Sequence, residues 1–365
     1  MSGVGRWRVV SVLGLAVAAG CGAPSASEPD ATASTAQAVA QLHTTVASAR
    51  ATRSDAAALP EQTALAHERT TASGASLYAA LPGRAARTVL HQQVNEAENL
   101  FFTEEGRLFV SGVEDIYEIE RAADGTYTKT DHFDGDCVVE GIVRRQSYLY
   151  GVCWTLQPDL STRAFLIAGE LTDDPDFRII AELDKDVVPN GMTVDPEGRV
   201  YVTYTTSVGQ IVRLTFAEPL ALKSKELWVS QLPNVNGIKY LDGALYVTLL
   251  SEALMGQFVR IAVRADGSAG KPETLYERWF AVLDDVLPFE DGFVISDFLK
   301  GTLIFWSRER GAYAETPAGT FFGPTSLAQG KPPMFDERQL IVAEKGNFLI
   351  RDETRGDLLS AYRLP

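Results

Sequence analysis

The stretch PNGMTVDPEGRVYVT, residues 189 to 203, reads as a polar anchor, a short apolar strand, a turn through Asp195 to Gly198, and a second strand ending in threonine. Aspartate and proline open such turns, glycine accepts the positive φ that closes them, and alternating apolar residues on either side mark strands. One hairpin does not make a fold, but this one recurs. AENLFFTEEGRLFVS (97 to 111), VNGIKYLDGALYVT (235 to 248) and LDDVLPFEDGFVIS (283 to 296) repeat the order of polar residue, apolar strand, glycine turn and strand ending in Ser or Thr. The interval is 13 positions from Glu98 to Ser111 and from Asn190 to Thr203, and 12 from Asn236 to Thr248 and from Asp284 to Ser296. A diverged copy, VEGIVRRQSYLYGVCW, carries Glu140, and a sixth, GPTSLAQGKPPMFDERQLIVAE, carries Thr325 and an insertion.

A third strand follows each hairpin, as DIYEIE (115), AFLIAG (164), QIVRLT (210), QFVRIA (257), TLIFWS (302) and DLLSAY (357). The anchors Glu98, Glu140, Asn190, Asn236, Asp284 and Thr325 lie 42, 50, 46, 48 and 41 residues apart. A repeat of this length with about four strands is a propeller blade. The spacing therefore predicts an all-β fold, a six-bladed β-propeller of four-stranded antiparallel blades over residues 86–365. A solenoid would use fewer strands per unit, and a sandwich would not repeat. Ring closure needs a strand shared between the two ends of the chain, and RTVLHQQV (87 to 94) is placed to supply the outer strand of the last blade.

In a propeller the first strand of each blade lines the central channel, so equivalent positions at its start converge at one mouth. Glu98, Asn190, Asn236 and Asp284 then form a ring. Carboxylates brought together without a cation repel one another and take up protons. Ca²⁺ relieves this with oxygen ligands from carboxylates, amides and water, whereas zinc or copper would call for His or Cys, which these positions lack. Pro-Asn-Gly and Val-Asn-Gly are also good turn sequences, because Asn caps its own backbone. Four oxygen-bearing side chains at equivalent positions of different blades favour the metal.

From about residue 87 to the end the chain resembles the senescence-marker-protein-30, gluconolactonase and paraoxonase group of six-bladed propellers. The residues that carry the likeness are Glu98 in AENLFF, Asn190 in VPNGM, Asn236 in VNGIKY and Asp284 in LDDVL, with PNG followed by VDPEGRVYV the most specific piece. The resemblance implies a catalytic calcium held by those four residues. It departs at the second blade, where Glu140 precedes Gly141 in place of the His-Gly of paraoxonases, so a histidine dyad is in doubt. Asp285 beside Asp284 leaves open which aspartate is the ligand.

With an open coordination position the ion would polarise a lactone carbonyl or a phosphoryl oxygen. Asp285 and Glu140 are the candidate general bases, with His132 in KTDHFDGDC a weaker one. The leading expectation is a calcium-dependent hydrolase of lactonase or esterase type, monomeric, acting on a small lactone or ester. The alternative is a non-catalytic propeller that binds a protein or glycan, its metal structural or absent. A metal-free strictosidine-synthase-like propeller is weakened by the acids at 98 and 284.

A net charge of −15 without a segregated basic patch excludes a nucleic-acid partner. Arg6 and Arg8, the apolar run from Val9 to Ala19 and the sequence AAGC at 18 to 21 have the layout of a bacterial lipoprotein signal, with Cys21 the lipidated residue. Gly22, in place of an aspartate, points to the outer membrane, facing the periplasm or the cell surface, with the lipid as the only membrane contact. Residues 22–85 are rich in Ala, Ser and Thr and read as a tether. In an exported chain Cys137 and Cys153, on either side of a turn near Arg145 and Gln146, are disulfide candidates.

Overall fold

The computed structural model describes residues 79–113, 115–133, 135–251, 254–346 and 356–365. The expected signal peptide, the lipidation site Cys21 and the tether up to residue 78 lie outside the described residues.

Six antiparallel sheets arrange their inner strands in a circle: each inner strand touches the inner strands of the blades before and after it, and the sixth touches the first. The inner strands are Leu100–Phe102, Val138–Arg145, Pro189–Val194, Ile238–Leu241, Leu283–Phe289 and Pro324–Gln329. Every third strand expected from the sequence is a third strand of a blade, from Asp115–Arg121 in the first to Leu358–Arg363 in the last. The six-bladed all-β propeller is therefore the fold.

The ring closes as the sequence suggested. Arg87–Gln92 pairs antiparallel with Leu358–Arg363, Arg87 opposite Tyr362, as the outermost strand of the sixth blade. The start of the propeller lies earlier than composition indicated. Ala79–Ala80 adds a short parallel fifth strand to the fifth blade, beside Ala314 and Glu315. Leu81 packs against the core, and the Pro82 carbonyl accepts from Tyr362 Oη at 2.6 Å. Alanines joining an existing sheet edge need no strand propensity of their own, which is why this segment resembles a tether in sequence.

The hydrophobic core is divided into six clusters, one in each gap between neighbouring blades. Between the fourth and fifth blades, for example, Phe258, Phe293 and Trp306 meet with ring centroids 5.1 to 6.3 Å apart. A fully buried side chain of this size contributes on the order of 2–3 kcal/mol through area removed from water. Packing of this kind holds blade to blade and leaves the axis to polar groups.

Within the opening stretch, Gly198 takes φ +76 at the turn, and Asp195 accepts from the Arg199 amide at 2.9 Å and Tyr201 Oη at 3.0 Å. The structure joins Cys137 to Cys153 in a disulfide, with Cα atoms 5.7 Å apart, across the first hairpin of the second blade.

Candidate functional site at the channel mouth

Four blades, the second, third, fifth and sixth, begin with the same local irregularity. The pairing of first and second strands slips at the anchor, so that Asn190 and Gly191 together face Thr203, and Asp284 and Asp285 together face Ser296. A bulge of this sort turns a side chain out of the ladder, here toward the axis. The hydroxyl at the end of the second strand explains the recurring Ser or Thr. Ser111 Oγ donates to the Glu140 carbonyl, Thr203 Oγ1 to the Asn236 carbonyl at 2.6 Å, and Thr248 Oγ1 to the Asp284 carbonyl at 2.5 Å. In each case a blade clamps the backbone of the next anchor.

The glycine after the anchor has a matching reason. A Cβ at Gly141 would stand 2.3 Å from the Asn190 carbonyl oxygen, at Gly191 2.8 Å from that of Asn236, and at Gly237 2.5 Å from that of Asp284. At these three junctions, from the second blade to the fifth, neighbouring blades approach each other through bare backbone. In the other three, side chains fill the same places as Asp285, Ser326 and Asn99.

The anchors are all buried: Glu98, Glu140, Asn190, Asn236 and Asp284 expose between 3% and 8% of their surface. Asn190 Nδ2 approaches Glu98 Oε1 at 3.4 Å, which joins the first and third blades across the mouth. Trp154 Nε1 donates to Glu140 Oε1 at 2.8 Å, while Glu140 Oε2 and Asn236 Oδ1 are buried acceptors without a hydrogen bond. Burial first, and the Glu98 carboxylate second, push Glu140 up to about 8, against the pull of Lys345. The same causes in the same order hold Asp284 well above the ordinary carboxyl range.

The two adjacent aspartates are distinguished by their partners. Asp285 has both oxygens engaged, with Lys239 Nζ at 2.9 Å on one and Ser326 Oγ at 2.7 Å on the other. Asp284, by contrast, feels the charges of Glu98 and Glu140 and belongs with the ring. His132 is not brought there. Its Nε2 meets Glu118 Oε2 at 3.0 Å and its Nδ1 lies 3.5 Å from Asp174 Oδ1, in a network on the outer strands that also includes Arg107. There burial tends to raise Glu118, yet Arg107 and His132 together hold it down at about 2.

One residue at the mouth falls outside the sequence repeat. Lys345 Nζ lies 2.5 Å from Glu98 Oε2, with side chains 10% and 7% exposed. It stands one position past the end of the sixth copy as aligned, in the loop after the second strand Gln339–Glu344. The available signal was an absence: the sixth blade is the one whose anchor, Thr325, offers no carboxylate or amide, and its hydroxyl is spent on the Ala97 carbonyl at 2.8 Å. Among the described residues no three His, Cys, Asp or Glu side chains come close enough together to hold a metal by themselves. A hard cation here would depend on the asparagine oxygens and water as well.

No protein-family model and no curated protein sequence matches the chain. Solved structures do. A luciferin-regenerating enzyme superposes with a TM-score of 0.56 at 12% identity, covering 78% of this chain and 94% of that one. A glucose dehydrogenase gives 0.56 at 13% identity over 76% and 99%. The soluble aldose sugar dehydrogenase of Escherichia coli gives 0.54 at 14% identity over 76% and 99%. At such identities the likeness is one of fold, and the chemistry has to be argued from the mouth itself.

Proposed function

We propose that the channel mouth is the active centre of a calcium-dependent hydrolase of lactonase or esterase type. The observation that carries this reading is a set of buried carboxyl and amide anchors at equivalent blade positions, Asn190 within 3.4 Å of Glu98, in which Glu140 Oε2 and Asn236 Oδ1 are left without donors. Buried acceptors are normally paired, and orphaned ones indicate a missing partner. Five hard oxygen donors and no His or Cys fit calcium in kind. Enzymes among the similar propellers, the luciferin-regenerating enzyme and glucose dehydrogenase by their names, are consistent with catalysis on this scaffold.

The ion would be held by Glu98, Asn190, Asn236 and Asp284, and when bound it would supply Lewis-acid stabilisation of charge developing on a carbonyl or phosphoryl oxygen. The protein's own groups divide the remaining work. Glu140 is fixed through Oε1 by Trp154 and keeps Oε2 free to hold a proton or pass it on, which suits a general acid or base near neutrality. Asp285 positions rather than reacts, because its oxygens are tied to Lys239 and Ser326.

The mouth face carries exposed apolar side chains. The loops between second and third strands and the links between blades share the mouth face, and they carry the exposed Leu160, Val208, Phe280 and Leu299, with Leu156 and Trp279 at adjoining strand ends. Such a rim suits a lactone or ester with a hydrocarbon portion. It also favours a second reading, a binding module whose rim docks a partner. A panel of lactones and esters separates the two: turnover that requires calcium and is lost in Asn190→Ala supports the hydrolase, and calcium-dependent melting without any turnover supports the module. The remaining sequence expectations form part of the same proposal: a monomer, exported and lipidated at Cys21, consistent with a disulfide that needs an oxidising compartment. Palmitate labelling lost in Cys21→Ser would establish the anchor.

A further inference from the structure

We propose that the ammonium group of Lys345 is a resident cation of the mouth that excludes a divalent ion, so that the ring holds either the lysine or the metal at Glu98 and not both. The inference rests on the reading that the ring accepts a hard cation, and adds to it a device that sets when the ion is taken.

The geometry supports exclusion. Lys345 Nζ is 2.5 Å from Glu98 Oε2, and Glu98 is the anchor that Asn190 Nδ2 also approaches, at 3.4 Å. The Asn190 amide thus turns its nitrogen toward Glu98, a hydrogen-bonding arrangement. A ligating amide would have to present its oxygen. With Lys345 in place, the Glu98 oxygens face two donors, and the ring is organised around a monovalent charge. The lysine enters from the blade whose anchor is neither a carboxylate nor an amide, Thr325, its hydroxyl occupied with the Ala97 carbonyl. Its charge answers that of Glu98 and is felt by both Glu140 and Asp284. A divalent ion at the same carboxylate would meet a like charge at contact distance inside a buried site, where water screens little. Loading therefore requires the ammonium to withdraw.

Calcium binding measured by titration calorimetry on the whole propeller tests this with wild type, Lys345→Gln and, as a control for the site, Asp284→Asn. The expected result is that Lys345→Gln binds calcium more tightly than wild type by about tenfold or more, a modest coupling for two cations competing at one carboxylate. A second measurement needs no variant. Acetylation of Lys345 in the wild-type protein, followed by mass spectrometry, is expected to be slow without calcium and faster once calcium expels the side chain. Equal calcium affinity in wild type and Lys345→Gln, or a Lys345 acetylation rate indifferent to calcium, overturns the exclusion while leaving the calcium site standing. No calcium binding by either form, or binding that Asp284→Asn leaves intact, removes the ring as a metal site and the inference with it.

Discussion

The two halves of the channel mouth are built differently. From the second to the fifth blade, neighbours meet through glycine backbone at Gly141, Gly191 and Gly237, and the ring atoms there include the unpartnered Glu140 Oε2 and Asn236 Oδ1. From the fifth blade through the sixth to the first, neighbours meet through side chains. Asp285 is bound by Ser326 and Lys239, Ser326 Oγ accepts from the Leu100 amide at 3.2 Å, and Glu98 is closed by Lys345. On one side Asp285, Ser326 and Glu98 are held by partners, and on the other Glu140 Oε2 and Asn236 Oδ1 have none. The difference teaches that a ring of equivalent positions need not be a ring of equivalent roles: symmetry places the groups, and local partners decide which remain available.

The largest expected effect lies in the closed half. Glu98→Ala leaves Lys345 buried without the carboxylate it contacts, and removing one member of a buried pair costs on the order of 3–5 kcal/mol. Urea unfolding should show this as a lower midpoint, and an unchanged midpoint would mean that the pair is not closed. In the open half the sensitivity is steric. Gly141→Ala puts a methyl group against the Asn190 carbonyl, with an expected loss of about 3 kcal/mol by the same measurement.

The pH dependence sharpens the contrast. Glu140 has a folded-state pKa of about 8, raised above its unfolded value, so the folded state binds more protons between the ordinary carboxyl range and pH 8. Stability should therefore be greatest at the acid end of that window and fall as pH rises through it, with a slope no steeper than ~1.4 kcal/mol per pH unit, the limit for one proton. Melting temperatures of wild type and Glu140→Gln from pH 5 to pH 9 test this, with the variant expected to lack that component of the slope. The smallest effect belongs to the clamp. Thr203→Val removes a hydroxyl that serves the Asn236 carbonyl and the Gly191 amide, at a cost of about 1–2 kcal/mol. The second blade already has Val152 at the matching position, so the fold tolerates the change there.

The fold was legible in sequence because a blade is a long pattern and six copies of it suppress chance. Even the closing strand could be placed, since RTVLHQQV had no partner of its own in the first blade. The ring anchors were legible for the same reason: equivalence in the repeat places them at one mouth. What stayed hidden depends on contacts between blades. Asp284 and Asp285 are chemically identical in sequence, and only Lys239 and Ser326, from two other blades, tell them apart. Lys345 sits just outside the repeat, and a lysine at the end of a strand ordinarily reads as a solvated residue. His132 looked like a rim residue because KTDHFDGDC is a polar loop, but Glu118 holds it on the outer strands.

The strand Arg87–Gln92 carries one more consequence. It belongs to the last blade but is encoded before the first, and the Tyr362 hydroxyl reaches Pro82 across 280 residues of sequence. The clasp cannot form until the final residues of the chain are available, so a nascent chain keeps an open ring until its C-terminus arrives. Tension applied from the N-terminal side would also be met in order: first by the short pairing of Ala79 and Ala80 with the fifth blade, then by the clasp. Two attachments in series, on two neighbouring blades, let the first give way while the ring stays shut.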